Sequence, residues 1–340
     1  MSTRPSNDGS PHRPSCGAGV ATAILAAVVC VHGLRTASAF ADPTPPEWAY
    51  PFLDSSVKPS PDDGAERAVP GSAERYTLTE LRDVFTAHDW FPGEHPPMPE
   101  VVVHGARPEV RACGMCHLPN GQGRPENAAL AGLSADYIIR QVEELKSGAR
   151  RSELPSAGPQ LRMLTSAQNV SPSDLRAAAD YFSGLAYRPW VRVVETDEAP
   201  RVRVAFGTIW IADPTGGREP IGERIVEIPQ DAARTELRDP HSGFVAYVPQ
   251  GSVDRGRRIA LGASDRPVPA CAVCHGEGLK GGQLAPPIAG RSATYLFRQL
   301  FDIQVGARHG EGSQLMKPIV ATLDLDDMIG LAAYVASLQP

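Results

Sequence analysis

The chain has 340 residues, with 33 Lys and Arg against 39 Asp and Glu and a formal net charge of −6. That length has room for two or three domains with real cores. A mildly acidic balance leaves no electrostatic footprint for nucleic acid. Residues 1–41 read as an export signal: Arg4 and Arg13 precede an apolar run from about Gly17 to Val31, and small residues follow at Ala37-Ser38-Ala39 and Ala39-Phe40-Ala41. The run is shorter than the ~20 apolar residues of a spanning helix, so cleavage after Ala39 or Ala41 is favoured over an uncleaved anchor. Loss of this segment removes Cys16 and Cys30, together with Arg4, Arg13, Arg35 and Asp8, and takes the net charge from −6 to −8. Four cysteines then remain, and none is spare for a structural disulfide.

Residues 42–93 are rich in proline and charge, which favours extended, poorly ordered backbone. One short helix over 79–85 interrupts this leader, and Trp90 and Phe91 beyond it are placed to pin it onto the following domain. From 94 to 187 the pattern turns helical. A short helix through Val101-Val102-Val103 leads to Cys113-Gly114-Met115-Cys116-His117. A turn-rich loop follows at 119–125. Ser134 then caps a helix carrying Tyr137, Ile138, Val142 and Leu145 at helical spacing, ended by Gly148. An irregular loop from Ala149 to Leu164 contains Met163. Ser171-Pro172 opens the next helix, whose apolar face is Leu175, Ala178, Ala179 and Phe182.

Residues 188–250 change character. β-branched and aromatic runs at 191–194, 202–206, 208–211, 224–228 and 244–248, separated by turns such as Asp213-Pro214-Thr215-Gly216-Gly217, predict a small antiparallel β insertion. It holds His241 but no cluster with metal-ligand spacing, so a scaffold or docking surface is favoured there over a catalytic site. Over 251–340 the helical pattern returns. Ser252 caps a helix stopped by Gly262, Cys271-Ala272-Val273-Cys274-His275 follows, then a glycine-rich loop, a helix from Tyr295 to about Val305, a loop containing Met316, and a last helix near 326–338.

The two Cys-x-x-Cys-His pentapeptides organise the chain. Two cysteines three apart with a histidine next allow both thiols to bond haem vinyl groups while the imidazole ligates iron. One copy alone would fit half a zinc site or a redox dithiol as well. The second copy lies 158 positions further on, and at the same offset Leu130-Ala131-Gly132 matches Ile288-Ala289-Gly290, Tyr137-x-x-Arg140-Gln141 matches Tyr295-x-x-Arg298-Gln299, and Gly148-Ala149-Arg150 matches Gly306-Ala307-Arg308. A haem domain has been duplicated, so two covalently bound haem c groups are expected, held by Cys113, Cys116 and His117 and by Cys271, Cys274 and His275. Met163 and Met316 each lie 22 positions before the matching Leu185 and Leu338, which makes them the candidate sixth ligands of iron. Thioether sulfur favours ferrous iron, so His/Met ligation raises the potential and closes the metal to substrates. Met98 and Met115 compete for the first iron, with Met115 disfavoured inside the motif. His88, His95, His104 and His309 have no counterpart in the other repeat and read as surface or loop histidines.

Over 94–187 and 251–340 these motifs resemble exported dihaem cytochromes c, built from two fused class I monohaem domains. The resemblance implies a mainly α fold with an inserted β-rich segment and a Pro-rich N-terminal extension, and a periplasmic carrier of single electrons between a donor and a respiratory acceptor. Its partners would be redox proteins on the dehydrogenase or oxidase side, with membrane contact only through them or an uncleaved signal. One departure stands out. Class I domains usually follow the motif with a proline whose carbonyl orients the histidine; Pro286 or Pro287 can serve the second site, but Ala128 and Ala129 occupy the first, so a different carbonyl is expected to hold His117. The competing function is a dihaem enzyme, either a peroxidase or an oxidase of small sulfur compounds. That role needs an open or displaceable iron ligand, and the equal methionine spacing argues against it.

Overall fold

The structure is a computed structural model that describes residues 44–51, 57–154, 158–206 and 208–340. The export signal expected over 1–41 lies outside them. Ahead of the first haem motif stand α1 (Leu78–Leu81) and α2 (Glu100–Val103). α1 starts on a capping box, in which the Thr77 side chain accepts the Glu80 N–H and the Glu80 carboxylate accepts the Thr77 N–H. The backbone around it is extended, as its prolines require, yet it is anchored. Trp90 is 1% exposed, packs with Val69 and Leu81, and donates its Nε1–H to the Leu237 carbonyl at 2.7 Å. Trp90 therefore pins the leader to the strand-rich segment, between β6 and β7, and not to a haem domain as expected.

α3 (Cys113–His117) carries the first motif. α4 (Ala135–Ser147) begins at Ser134, whose hydroxyl accepts the Tyr137 N–H, and ends at Gly148 with φ 77°, a left-handed turn that glycine adopts without strain. Its apolar face buries Ile138 beside Ala178 and Phe182, and Val142 beside Leu175. Each such side chain contributes about 2–3 kcal/mol, so Phe182→Ala would do most to loosen the pair. α5 (Gly158–Asn169) includes Met163, on a helix where the sequence predicts a loop. α6 (Pro172–Ser183) starts at Ser171 with proline in its first turn, as expected.

Seven strands follow: β1 (Val191–Glu195), β2 (Glu198–Pro200), β3 (Val202–Ala205), β4 (Ile209–Ala212), β5 (Arg218–Pro220), β6 (Val226–Pro229) and, after the short α7 (Ala232–Glu236), β7 (Phe244–Val248). β3 pairs with β4 and β2 with β5, both antiparallel. The three-stranded sheet has order β1-β7-β6. There β1 runs parallel to β7, Val191 facing Phe244, while β6 is antiparallel to β7. The expectation of a purely antiparallel segment is thus corrected. A parallel pair needs a long crossover, and residues 196–243 form it.

The second repeat comprises α8 (Ser252–Ala260), α9 (Ala272–His275), α10 (Ala293–Gln304), α11 (Glu311–Val320) and α12 (Leu325–Ser337). Ser252 is the first residue of α8 and not its cap; Gly251 precedes it with φ 80°. α8 crosses α12 so closely that a Cβ on Gly256 would collide with the Gly330 carbonyl, which is why glycine stands at the crossing. Met316 lies on α11, again in a helix where a loop was expected. Glu227 on β6 ties the strands to this repeat: its carboxylate accepts from Ser292 Oγ and from the Thr294 N–H, both at 2.8 Å, at the start of α10. Among the described residues no helix is long and apolar enough to cross a membrane.

Candidate haem sites

Both motif histidines are buried, each 9% exposed. His117 Nδ1 lies 2.7 Å from the Ala128 carbonyl and His275 Nδ1 2.9 Å from the Pro286 carbonyl. The two carbonyls occupy the same position in the repeat, eleven residues after each histidine. The expected change of carbonyl at the first site is therefore wrong: proline fixes the turn in one copy, but the oxygen that does the work belongs to the backbone and survives replacement by alanine. With Nδ1–H donated in both, Nε2 is left as the free lone pair that a metal-binding imidazole needs. Burial pushes both histidines below their ordinary pKa, which favours the neutral ring that ligates.

In the first repeat, Cys113, Cys116, His117 and Met163 line one cavity of about 540 Å³. Its wall is largely apolar, with Ile138, Val142 and Leu175 among its side chains. A flat apolar macrocycle with an iron centre fits this volume and donor set: two thiols and an imidazole at one side, a thioether on α5 at another. Burial pushes the Cys113 thiol up to about 12 and the Cys271 thiol up to about 11. In the second repeat Cys271 and Met316 pack against one core with Phe297 and Phe301. When bound, haem c supplies a one-electron iron couple; the protein holds it, orients its histidine and shuts out water. Met98 is not in the cavity wall and packs with Val101 and Tyr181, while Met115, held under Ala87 and Ala112 inside the motif, does line the cavity.

Several wall residues had no signal in the sequence. Arg238 comes from the turn after α7, yet lines the first cavity and donates to the Met115 carbonyl at 2.8 Å. Arg124 and Glu126 form a buried ion pair at 2.7 Å on the same wall. The four histidines without counterparts lie outside helices and strands, as expected of loop residues, but His95 is not at the surface: its side chain is 5% exposed, its Nε2 3.1 Å from Asp89 and its Nδ1 3.0 Å from Tyr181 Oη. The duplicated Tyr, Gln and Arg residues, by contrast, meet across the two repeats. Arg150 donates to Gln141 at 2.8 Å and to Tyr295 Oη at 2.8 Å; Arg308 donates to Gln299 at 3.0 Å and to Tyr137 Oη at 3.1 Å. Tyr295 also lines the first cavity. Burial raises its pKa, but Arg150 and Arg308 outweigh burial and bring it below the usual phenol value.

A pair of Cys-x-x-Cys-His motifs with buried histidines on a helical frame defines a c-type haem protein. The cytochrome c family model matches residues 253–339. Cytochrome c-554(548) of Halomonas halodenitrificans is 33% identical over 78 residues, 23% of this chain and 94% of that protein. Cytochrome c4 of Azotobacter vinelandii is 27% identical over 236 residues, 68% of this chain and 86% of the relative. The thiosulfate dehydrogenase electron acceptor of Stutzerimonas stutzeri strain A1501 is 27% identical over 238 residues, covering 69% and 82%. The chain belongs to the cytochrome c family. It is similar to cytochrome c4, with two class I domains and two covalently bound haem c groups, and it is an electron-transfer protein.

Proposed function

We propose that the chain is exported to the periplasm, where it carries single electrons from a dehydrogenase to a respiratory acceptor. Its haem domains span 94–187 and 251–340, with the leader 42–93 and the strand-rich 188–250 added to them. Cys113, Cys116 and His117 hold one haem and Cys271, Cys274 and His275 the other, with Met163 and Met316 as sixth ligands. The observation that carries this reading is the single cavity that brings Cys113, Cys116, His117 and Met163 together. Filled sixth positions leave no site for substrate at iron, so only the macrocycle edge communicates with a partner. A donor that oxidises small sulfur compounds, such as thiosulfate, is supported by the likeness to thiosulfate dehydrogenase electron acceptors.

The test uses the mature protein made with the haem-attachment machinery. A thiosulfate-oxidising dehydrogenase should reduce both haems when supplied with thiosulfate. The protein alone, fully oxidised or half-reduced, should turn over neither thiosulfate nor hydrogen peroxide at enzymatic rates, ~1 per second or more. Fast peroxide turnover by the half-reduced form would reverse the assignment.

A further inference from the structure

The two motifs are copies, but their surroundings differ. In the first, Gly114, Met115 and nearly all of 117–126 are buried. In the second, Ala272, Val273 and most of 277–284 are exposed. Matched positions make the contrast plain: Met115 is 8% exposed and Val273 70%, Glu126 7% and Leu284 66%. What covers the first motif is this chain itself. The leader brings Ala87 against Gly114, where an added Cβ would stand 2.8 Å from the Ala87 methyl. The Ala112 N–H is tied to the Val84 carbonyl at 3.1 Å. From the strand-rich segment, Arg238 donates to the Met115 carbonyl, Asn120 donates to the Pro240 carbonyl at 3.2 Å, and Trp190 and Phe244 pack on Leu118. Among the described residues nothing comparable lies over Val273 or Leu284.

We propose that redox partners dock on the exposed 272–284 face of the second repeat, and that residues 57–93 and 189–249 keep them off the first. The inference rests on the carrier reading and adds its direction: electrons from the first site leave the molecule by way of the second. The chemistry of the face selects the partner. Ala272, Val273, Gly282, Gln283 and Leu284 carry no charge, and the exposed Glu277 and Lys280 on the same loop have opposite signs. Such a face offers no field for a charged patch to match and instead desolvates readily against an uncharged apolar rim. The partner is thus a redox protein with apolar side chains around its own cofactor edge, and not a polybasic or polyacidic one.

The probe is a soluble blue-copper protein with an apolar rim at its copper edge. Each ferrous haem gives one electron to one Cu(II), so the fully reduced protein delivers two. Stopped-flow oxidation is compared for the parent, for Val273→Glu combined with Leu284→Glu, and for a charge-matched control with Ala73→Glu and Ala212→Glu at exposed positions elsewhere. Tenfold or greater slowing of both electrons in the 273/284 variant, with the control within twofold of the parent, is expected. A variant in which half of the electrons still leave at the parental rate has a separate exit at the first site and overturns the proposal, as does an unchanged rate. Hydrogen exchange gives a readout free of turnover: the blue-copper protein should protect backbone amides in 272–284 and not in 114–126, and the opposite pattern would sink the idea. A parent that accepts electrons from dithionite yet takes none from the dehydrogenase and passes none to the copper protein rejects the carrier reading itself.

Discussion

Arg150 and Tyr295 belong to different repeats, and their side chains meet at 2.8 Å. Arg308 returns the contact to Tyr137 at 3.1 Å, and the backbone closes the same joint, with the Arg151 N–H bonded to the Ala307 carbonyl and the His309 N–H to the Ala149 carbonyl. Duplication explains the symmetry. Each copy brings a Tyr and a Gln on a helix and an Arg on the turn after it, so packing two copies face to face pairs each Arg with the other copy's Tyr. Among the described residues neither guanidinium forms a direct ion pair; each is held by hydrogen bonds to Tyr and Gln, with the Glu144 carboxylate, itself bonded to Gln141, acting on Arg150 from nearby.

Arg150→Ala should therefore cost about 1–3 kcal/mol, because it leaves the buried Tyr295 hydroxyl without its partner, while Gln141 keeps the bond from Arg308. Combined with Tyr295→Phe, the two losses should fall short of their sum by about 1 kcal/mol in a double-mutant cycle of denaturant midpoints. Full additivity would mean that the two side chains do not interact in solution.

Met163→Ala and Met316→Ala should each open one iron. The ferrous variants are expected to bind one carbon monoxide per protein, against none for the parent, while the other haem keeps its six-coordinate spectrum. An unchanged ligand-field spectrum in either variant would remove that methionine from the coordination.

The parts legible in sequence were those set by local pattern. Ser134, Ser171 and Gly148 mark helix ends because capping is a neighbour effect, and the motif spacing fixes haem attachment within five residues. Long-range relations were hidden. The sequence showed Tyr137, Gln141 and Arg150 repeated but not that they face their copies, and Arg238 gave no sign that it reaches Met115, 123 residues away. The proline rule misled because it read a side chain where a backbone oxygen acts. Leu118 shows a further limit. It has φ 64° and ψ 151°, conformationally close to its counterpart Gly276 at φ 76° and ψ 171°. Such backbone costs a side chain about 1–3 kcal/mol. Leu118 is 1% exposed between Trp190 and Phe244, and that burial is large enough to offset the strain.

Stability should depend on pH through His95. The Asp89 carboxylate, 3.1 Å from its Nε2, raises its folded pKa above the ordinary value, despite burial. A raised folded pKa gives stability that is fully present below the unfolded pKa of about 6.5 and is lost as pH rises through the folded value. His95→Gln should then cost roughly 1–2 kcal/mol at pH 5.5 and distinctly less at pH 9, read from urea midpoints. An equal cost at both would show that the ring matters only as packing.

The two haems should titrate separately, and Arg238 should set part of the gap. Its guanidinium lines the first cavity, donates only to the Met115 and Leu81 carbonyls, and has no ion-pair partner among the described residues. Burial, with Arg124 close by, pulls its pKa down to about 10, which still leaves it charged at neutral pH. A fixed positive charge in a poorly solvated wall disfavours the ferric state, which carries one more positive charge than the ferrous state. The neighbouring Arg124 and Glu126 largely cancel each other, so they do not annul this effect. The loop after the second motif instead presents Glu277 and Lys280 to solvent, where screening weakens both. Arg238→Met, which keeps the length and removes the charge, should lower the first potential by tens of millivolts, equivalent to about 1 kcal/mol for one electron. The second potential should stay in place. Arg238→Lys should restore most of the shift, since it keeps the charge while losing the fork to the two carbonyls. A spectroelectrochemical titration reads both potentials at once; if Arg238→Met moves neither, or moves both equally, the guanidinium is not acting on the first haem through its charge.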